Sequence, residues 1–162
     1  MNEIFDLTVY RREGRLWVGA HVPSEAADRA VDDLYPADGG MEGLTRALVQ
    51  ADQRARQEMA LPRSERFRDN KGFWLAAGCK TWRKFMRGLT SCVITREAEQ
   101  TTVEYWVPDP KYPGGLTGTD FQEHYPPNIS YEELAPIVLG IFATHPPDVQ
   151  VPIAKAKPKS LP

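Results

Sequence analysis

Two hairpin patterns leave this chain little choice of architecture. "SCVITRE" alternates apolar with polar residues over 91–97, "AEQ" turns, and "TTVEYWV" alternates again over 101–107 before Pro108 stops it. At the N-terminus, "IFDLTVY" sets Phe5, Leu7 and Val9 against Asp6 and Thr8, "RREGR" supplies a turn with Gly14, and "LWVGAHV" resumes the strand. Alternation with period two buries one face of a sheet, and that face must be covered by another layer. The expected fold class is therefore α/β of the α+β type, an antiparallel sheet from two hairpins with helices packed on it. Register is open at this point. Val93 shares a face with Val103 or Tyr105; if Val103, Tyr105 and Val107 point inward, Glu104 and Trp106 point outward, and the opposite register buries Trp106.

The covering helices are legible from their own period. Between Met41 and Met59, Leu44, Leu48 and Ala51 or Ala55 recur about once per turn, and Pro62 ends the pattern. "CKTWRKFMRG", within a segment that begins at Gly72, places Lys80, Arg83, Lys84 and Arg87 on one side of a helix and Cys79, Trp82, Phe85 and Met86 on the other, with Gly88 as its stop. "NISYEELAPIVLGIFATH" predicts the last helix: Ser130 and Glu133 form a capping box, and Ile129 with Leu134 a hydrophobic staple. Pro136 either moves the start of that helix to near Ala135 or kinks it. The acidic, Ala-rich segment 23–40 has room for one short helix, and "PDPKYPGGLTGTDF" predicts a long loop. Residues 1–145 are expected to form one globular domain, with 146–162, rich in Pro and Lys, as a flexible tail.

With 162 residues, the chain is long enough to bury a core without covalent staples. Its hydrophobic fraction of 41% and charged fraction of 26% are those of a globular domain. No apolar run approaches the roughly 20 residues that a bilayer requires, and the N-terminus lacks the basic-then-apolar pattern of a signal peptide, so a soluble cytoplasmic protein is expected. Cys79 and Cys92 have no Cys or His at metal-ligand spacing and are expected as reduced core residues. His21, His124 and His145 are widely separated; no P-loop, dinucleotide fingerprint or nucleophile elbow occurs. Neither a cofactor nor a metal is expected.

The net charge of −2 argues against general electrostatic binding to nucleic acid, but it conceals a split. Residues 63–96 carry mostly cations and 97–148 mostly carboxylates, which either neutralise each other or face different partners. Aromatic residues gather in the middle and C-terminal parts, Trp106 and Tyr112 among them, as they do at binding hot spots.

A helix with "CKTWRKFMRG", strands "TSCVITRE" and "TVEYWVPD", the loop "GGLTG" and a closing helix opened by "SYEEL" together resemble the immunity proteins of bacterial contact-dependent growth inhibition systems, over residues 72–144. The resemblance implies a non-enzymatic cytoplasmic protein that binds the toxic C-terminal domain of an effector and blocks its active site. Many such toxins are nucleases with basic clefts. The toxin-binding surface expected here is therefore the acidic stretch of Glu97, Glu99, Glu104, Asp109, Asp120 and Glu123, with the aromatics Trp106 and Tyr112. Two rivals follow from the residues alone. One is a nucleic-acid-binding module using 63–96, with Trp74 and Trp82 as stacking platforms; the other is a small enzyme with His124 as general base in a loop from Pro113.

Overall fold

The computed structural model describes residues 4–25, 30–31, 33–66, 72–112 and 115–145. They form an α+β fold built on one antiparallel sheet. Strands β1 (Asp6–Arg12), β2 (Arg15–Val22), β3 (Ala30–Val31), β4 (Tyr35–Pro36), β5 (Thr90–Arg96), β6 (Thr101–Pro108) and β7 (Leu116–Tyr125) run in the order β3-β2-β1-β5-β6-β7, and β4 also pairs with β2. Helices α1 (Gly40–Met59) and α3 (Tyr131–Thr144) cover one face and pack against each other; α2 (Trp82–Met86) lies within the segment that joins α1 to β5.

The first hairpin turns through Glu13 and Gly14, with φ of 51° and 74°. Positive φ at both central residues is the type I′ turn, whose twist matches the strands on either side. That two-residue loop pairs Arg12 with Arg15 and fixes every partner behind them, to Asp6 opposite His21. In the second hairpin Cys92 pairs with Tyr105 and Ile94 with Val103, while Val93 faces Glu104. Val103 and Tyr105 do point into the core, but they share it with Cys92 and Ile94; Val93 sits on the other face.

The helix-covered core is aliphatic. Leu7, Val9, Val18, Ala20, Cys92, Ile94 and Val103 from the sheet meet Leu44, Ala47, Leu48, Ala51 and Ala55 of α1 and Leu134, Val138 and Ile141 of α3. Each large side chain so buried is worth about 1.5–3 kcal/mol. The alanines let α1 lie close to the sheet, and Gly43 lets the loop before the helix fold back on its first turn: a Cβ there would sit 1.6 Å from the Asp38 carbonyl oxygen. Burial pushes the Cys92 thiol up, so it stays protonated.

Polar groups on this side are satisfied. Arg11 is buried beneath the C-terminus of α3, donating from Nε to Thr90 Oγ1 (2.9 Å), from Nη1 to the Phe142 carbonyl (2.7 Å), and from Nη2 to the Tyr105 hydroxyl (2.9 Å) and the His145 carbonyl (2.6 Å). A cation at a helix C-terminus is favoured by the helix dipole, which here stands in for a carboxylate partner. Tyr131 of α3 donates to Asp52 of α1, which also accepts from Arg56 Nε at 2.6 Å. Burial, and then that bond to Asp52, raise the Tyr131 phenol well above its usual value.

Three expectations need correction. The described part of 23–40 contains the two short strands β3 and β4 and no helix before α1. "PDPKYPGGLTGTDF" is not a long loop: β7 begins at Leu116 and pairs along β6, with an irregularity between Glu104 and Trp106. Segment 72–88 is not one helix but a 3-10 turn (Phe73–Ala77) followed by the five-residue α2. Gly78, at φ 76°, ends the first, and the Thr81 side chain caps the second by accepting from the Lys84 backbone N–H at 3.2 Å. Of the two alternatives for Pro136, the later start is excluded: α3 starts at Tyr131 and runs through Pro136, capped as expected by Ser130, whose Oγ accepts from the Glu133 backbone N–H at 3.1 Å. Residues 146–162 lie outside the described residues.

Candidate functional site

Residues directly opposite each other in an antiparallel ladder share a face. Three rows therefore cross the sheet on the side away from α1 and α3. Trp17, Tyr10, Ser91, Trp106 and Gly118 form the first; Gly19, Thr8, Val93, Glu104 and Gln122 the second; His21, Asp6, Thr95, Thr102 and His124 the third.

The segment 72–89 covers only one end of this floor. Its Phe73, Phe85, Met86 and Leu89 close with Tyr10, Trp17 and Leu34 into a second, aromatic core. Tyr10 stacks on Phe73 (6.0 Å between centroids) and meets Phe85 edge-on (5.4 Å), geometries that suit the ring quadrupoles. Burial raises the Tyr10 phenol well above its usual range. Trp82 packs on Phe73 and Trp74 but remains 38% exposed.

Beyond that cover the floor opens into a pocket of about 540 Å³, walled by Trp82, Met86, Trp106 and Leu116 and floored by Asp6, Thr8, Tyr10, Ser91, Val93, Thr95 and Glu104 with His21. That volume is in the range of ligand-binding clefts. His21 is held between two hydroxyls, Thr8 Oγ1 at 3.1 Å from Nδ1 and Tyr10 at 3.2 Å from Nε2. Ser91 Oγ and Trp106 Nε1, buried neighbours on the first row, have no hydrogen-bond partner among the described residues. Such a group costs about 1–3 kcal/mol.

The expected toxin-binding residues are scattered across this frame. Glu104 and Trp106 line the pocket, both half-buried. Glu97 and Glu99 lie exposed in the turn before β6, and Asp109 and Tyr112 lie past its far end, so an eight-residue strand, about 25 Å, separates them. Asp109 accepts from the Lys111 backbone N–H at 2.8 Å, and Tyr112 is 66% exposed. Asp120 is exposed in the irregular part of β7, and Glu123, opposite Val103, lies at the edge of the helix-covered face and accepts from the Tyr125 hydroxyl. Burial and that contact push the Tyr125 phenol up to about 12. The eight do not form one surface.

Nor do the two charge segments cancel. Lys80, Arg83, Lys84 and Arg87 are exposed, and none is ion-paired among the described residues. Arg96 instead donates to the Pro127 and Ile129 carbonyls (3.1 and 2.5 Å) and stacks on Tyr131. His124 stands on β7 rather than in a loop, with Nδ1 3.1 Å from Thr102 Oγ1.

The fold has a solved counterpart. A protein of unknown function from Neisseria meningitidis, NMB0488, matches with a TM-score of 0.50 and 16% identity, covering 89% of this chain and 97% of that one. At that identity the likeness concerns the fold alone. No protein-family model and no curated protein matches the chain.

Thr8, Tyr10, Ser91 and His21 were missing from the sequence-based site. A signal for three of them was present: a two-residue loop at Glu13–Gly14 fixes the register of the first hairpin and puts Thr8, Tyr10 and His21 on one face. Ser91 had none, because its role depends on what 72–89 leaves uncovered.

Proposed function

We propose that this chain is a cytoplasmic immunity protein that neutralises the C-terminal toxin domain of a contact-dependent growth inhibition effector by binding it, without catalysis of its own. The observation that carries this reading is the half-covered sheet face. A preformed pocket with Trp82 and Trp106 in its walls and the carboxylates Asp6 and Glu104 in its floor has the makings of an interface centre: aromatic anchors, partial desolvation and fixed negative charge. The partner surface moves accordingly, from the acidic stretch as a whole to the pocket and the residues beside it.

Co-expression tests this. The untagged chain is produced with the tagged C-terminal domain of the effector encoded immediately upstream, and both elution and host survival are scored. One complex with rescued growth supports the reading. Two folded proteins that elute apart, with no rescue, would sink it.

A second reading rests on the exposed cations of α2 beside Trp82, which suit a phosphate backbone and a stacked base. It requires binding to single-stranded nucleic acid that weakens steeply with salt. Charge reversal of Lys80, Arg83, Lys84 and Arg87 must abolish that binding; retention would remove the reading.

A further inference from the structure

The pocket asks for two things at once. Ser91 is fully buried and Trp106 Nε1 is shielded from solvent, yet neither Ser91 Oγ nor the indole N–H has a partner among the described residues. The indole N–H can only donate, so it lacks an acceptor. The helix-covered face differs: Thr90, the residue before Ser91 and on that face, accepts from Arg11, and Thr119 Oγ1 donates to the Tyr105 carbonyl at 2.9 Å, whereas Asp6 Oδ1 and Arg12 Nε, on the strand face of Thr8 and Tyr10, also lack a hydrogen-bond partner for those atoms among the described residues. Glu104, on the next row of the floor, is a half-buried carboxylate with no hydrogen-bond or ion-pair partner among the described residues. It lacks a cation. Among the described lining residues none is Lys or Arg, and Trp82, Met86 and Trp106 offer apolar and π surface beside it.

A ligand that satisfies all three must carry a carbonyl acceptor, an apolar stem and a cationic head. A lysine or arginine residue within a peptide has that composition, and a bare metal ion or a simple amine does not. The volume of about 540 Å³ fits the tip of a loop rather than a single small ion.

We infer that the pocket receives a lysine or arginine side chain presented on a loop of the partner protein. Its ammonium or guanidinium meets Glu104, its stem lies between Trp82, Met86 and Trp106, and a main-chain carbonyl of the same loop takes the Trp106 N–H after a small turn of the indole. This rests on the partner-binding reading above and names the chemistry of the contact. Aromatic faces beside a carboxylate strengthen a cation's attraction as water is excluded.

The test uses the full chain and a small probe, so that it does not depend on any toxin. N-acetylarginine amide is titrated while the Trp106 indole N–H resonance is followed, assigned by its loss in Trp106→Phe. N-acetylnorleucine amide, which lacks the charge, and agmatine, which lacks the carbonyl, serve as controls. The expected result is a saturable shift with the arginine amide, and binding at least about tenfold weaker for both controls and for Glu104→Gln. No saturable shift, or equal binding of the arginine and norleucine amides, overturns the inference. That comparison on the wild-type chain decides the matter even if Glu104→Gln does not fold. If the effector domain co-purifies while the probe fails, the pocket inference falls and the immunity reading stands. If the probe binds and no effector domain does, the reverse holds.

Discussion

The two faces of the sheet are built from the same strands, one residue out of phase, and they solve different problems. On the side of α1 and α3, Leu7, Val9, Cys92, Ile94 and Val103 are sealed in an aliphatic core, and the buried cation Arg11 spends its donors on four acceptors. On the opposite side, Asp6, Thr8, Tyr10, Ser91, Glu104 and Trp106 are half-sealed by an aromatic cover that stops short of the sheet's edge. The first face is finished by the chain itself. The second leaves a donor and a carboxylate for something else to complete, which is where a binding protein has reason to tolerate a local cost.

If stability resides in the helix-covered face, its polar centre should be the most sensitive point. Arg11→Met retains the stem but removes four hydrogen bonds, leaving, among the described residues, the Phe142 carbonyl only the His145 N–H and the His145 carbonyl only the Tyr105 hydroxyl, and should cost about 3 kcal/mol or more. Urea unfolding measures this directly. A loss under 1 kcal/mol would mean that the end of α3 is not pinned by Arg11.

The phenols make a second comparison, since Tyr10 is buried on the pocket side and Tyr131 is half-buried between α1 and α3. Both have pKa values raised by burial, so the folded state holds the phenolic proton more tightly than the unfolded chain does. Their contribution is fully present below about pH 10 and is lost as pH climbs above it, at up to about 1.4 kcal/mol per pH unit for each phenol. Cys92, shifted the same way, adds to the decline. Urea midpoints between pH 8 and 11.5 should fall, and Tyr10→Phe should flatten part of the slope. A flat profile would show that the cover over Tyr10 admits water.

The cover itself was the least legible part of the fold. Sequence placed most of its faces: Cys79, Phe85 and Met86 are buried and Lys80, Arg83, Lys84 and Arg87 are exposed, but Trp82, expected on the apolar face, is exposed. Continuity failed, because an apolar period persists through a break when both pieces pack on the same aromatic core. Gly78 and Thr81 were the local signals of that break. Strand β7 was missed for the opposite reason. "LTGTDFQEHY" has little alternation, since an edge strand at the end of a sheet is held by β6 along one side and needs few buried side chains. The proline in α3 proved neutral to the helix start because Pro136 is exposed, where water can reach the backbone group it leaves unpaired.

Thr81→Ala therefore probes the cover alone. Loss of an N-cap hydroxyl costs about 1 kcal/mol, and here it should loosen α2 without disturbing the aliphatic face. Hydrogen exchange should quicken in 82–89 and remain unchanged in α1. Faster exchange in both would mean that the two faces unfold together.

The smallest expected effect is also the sharpest contrast. Thr90 and Ser91 are adjacent buried hydroxyls on opposite faces, one accepting from Arg11 and the other without a partner among the described residues. Removing an unsatisfied hydroxyl from a buried site spares its desolvation cost and leaves a cavity of only one oxygen. Ser91→Ala should therefore leave the urea midpoint unchanged or raise stability by up to about 1 kcal/mol. In a binding assay the same change should weaken association, because the first row of the floor then has one polar group fewer to meet the incoming carbonyl. A stability loss of 1 kcal/mol or more would show that an ordered water already satisfies Ser91, and the pocket floor would then be finished by solvent instead of by a partner.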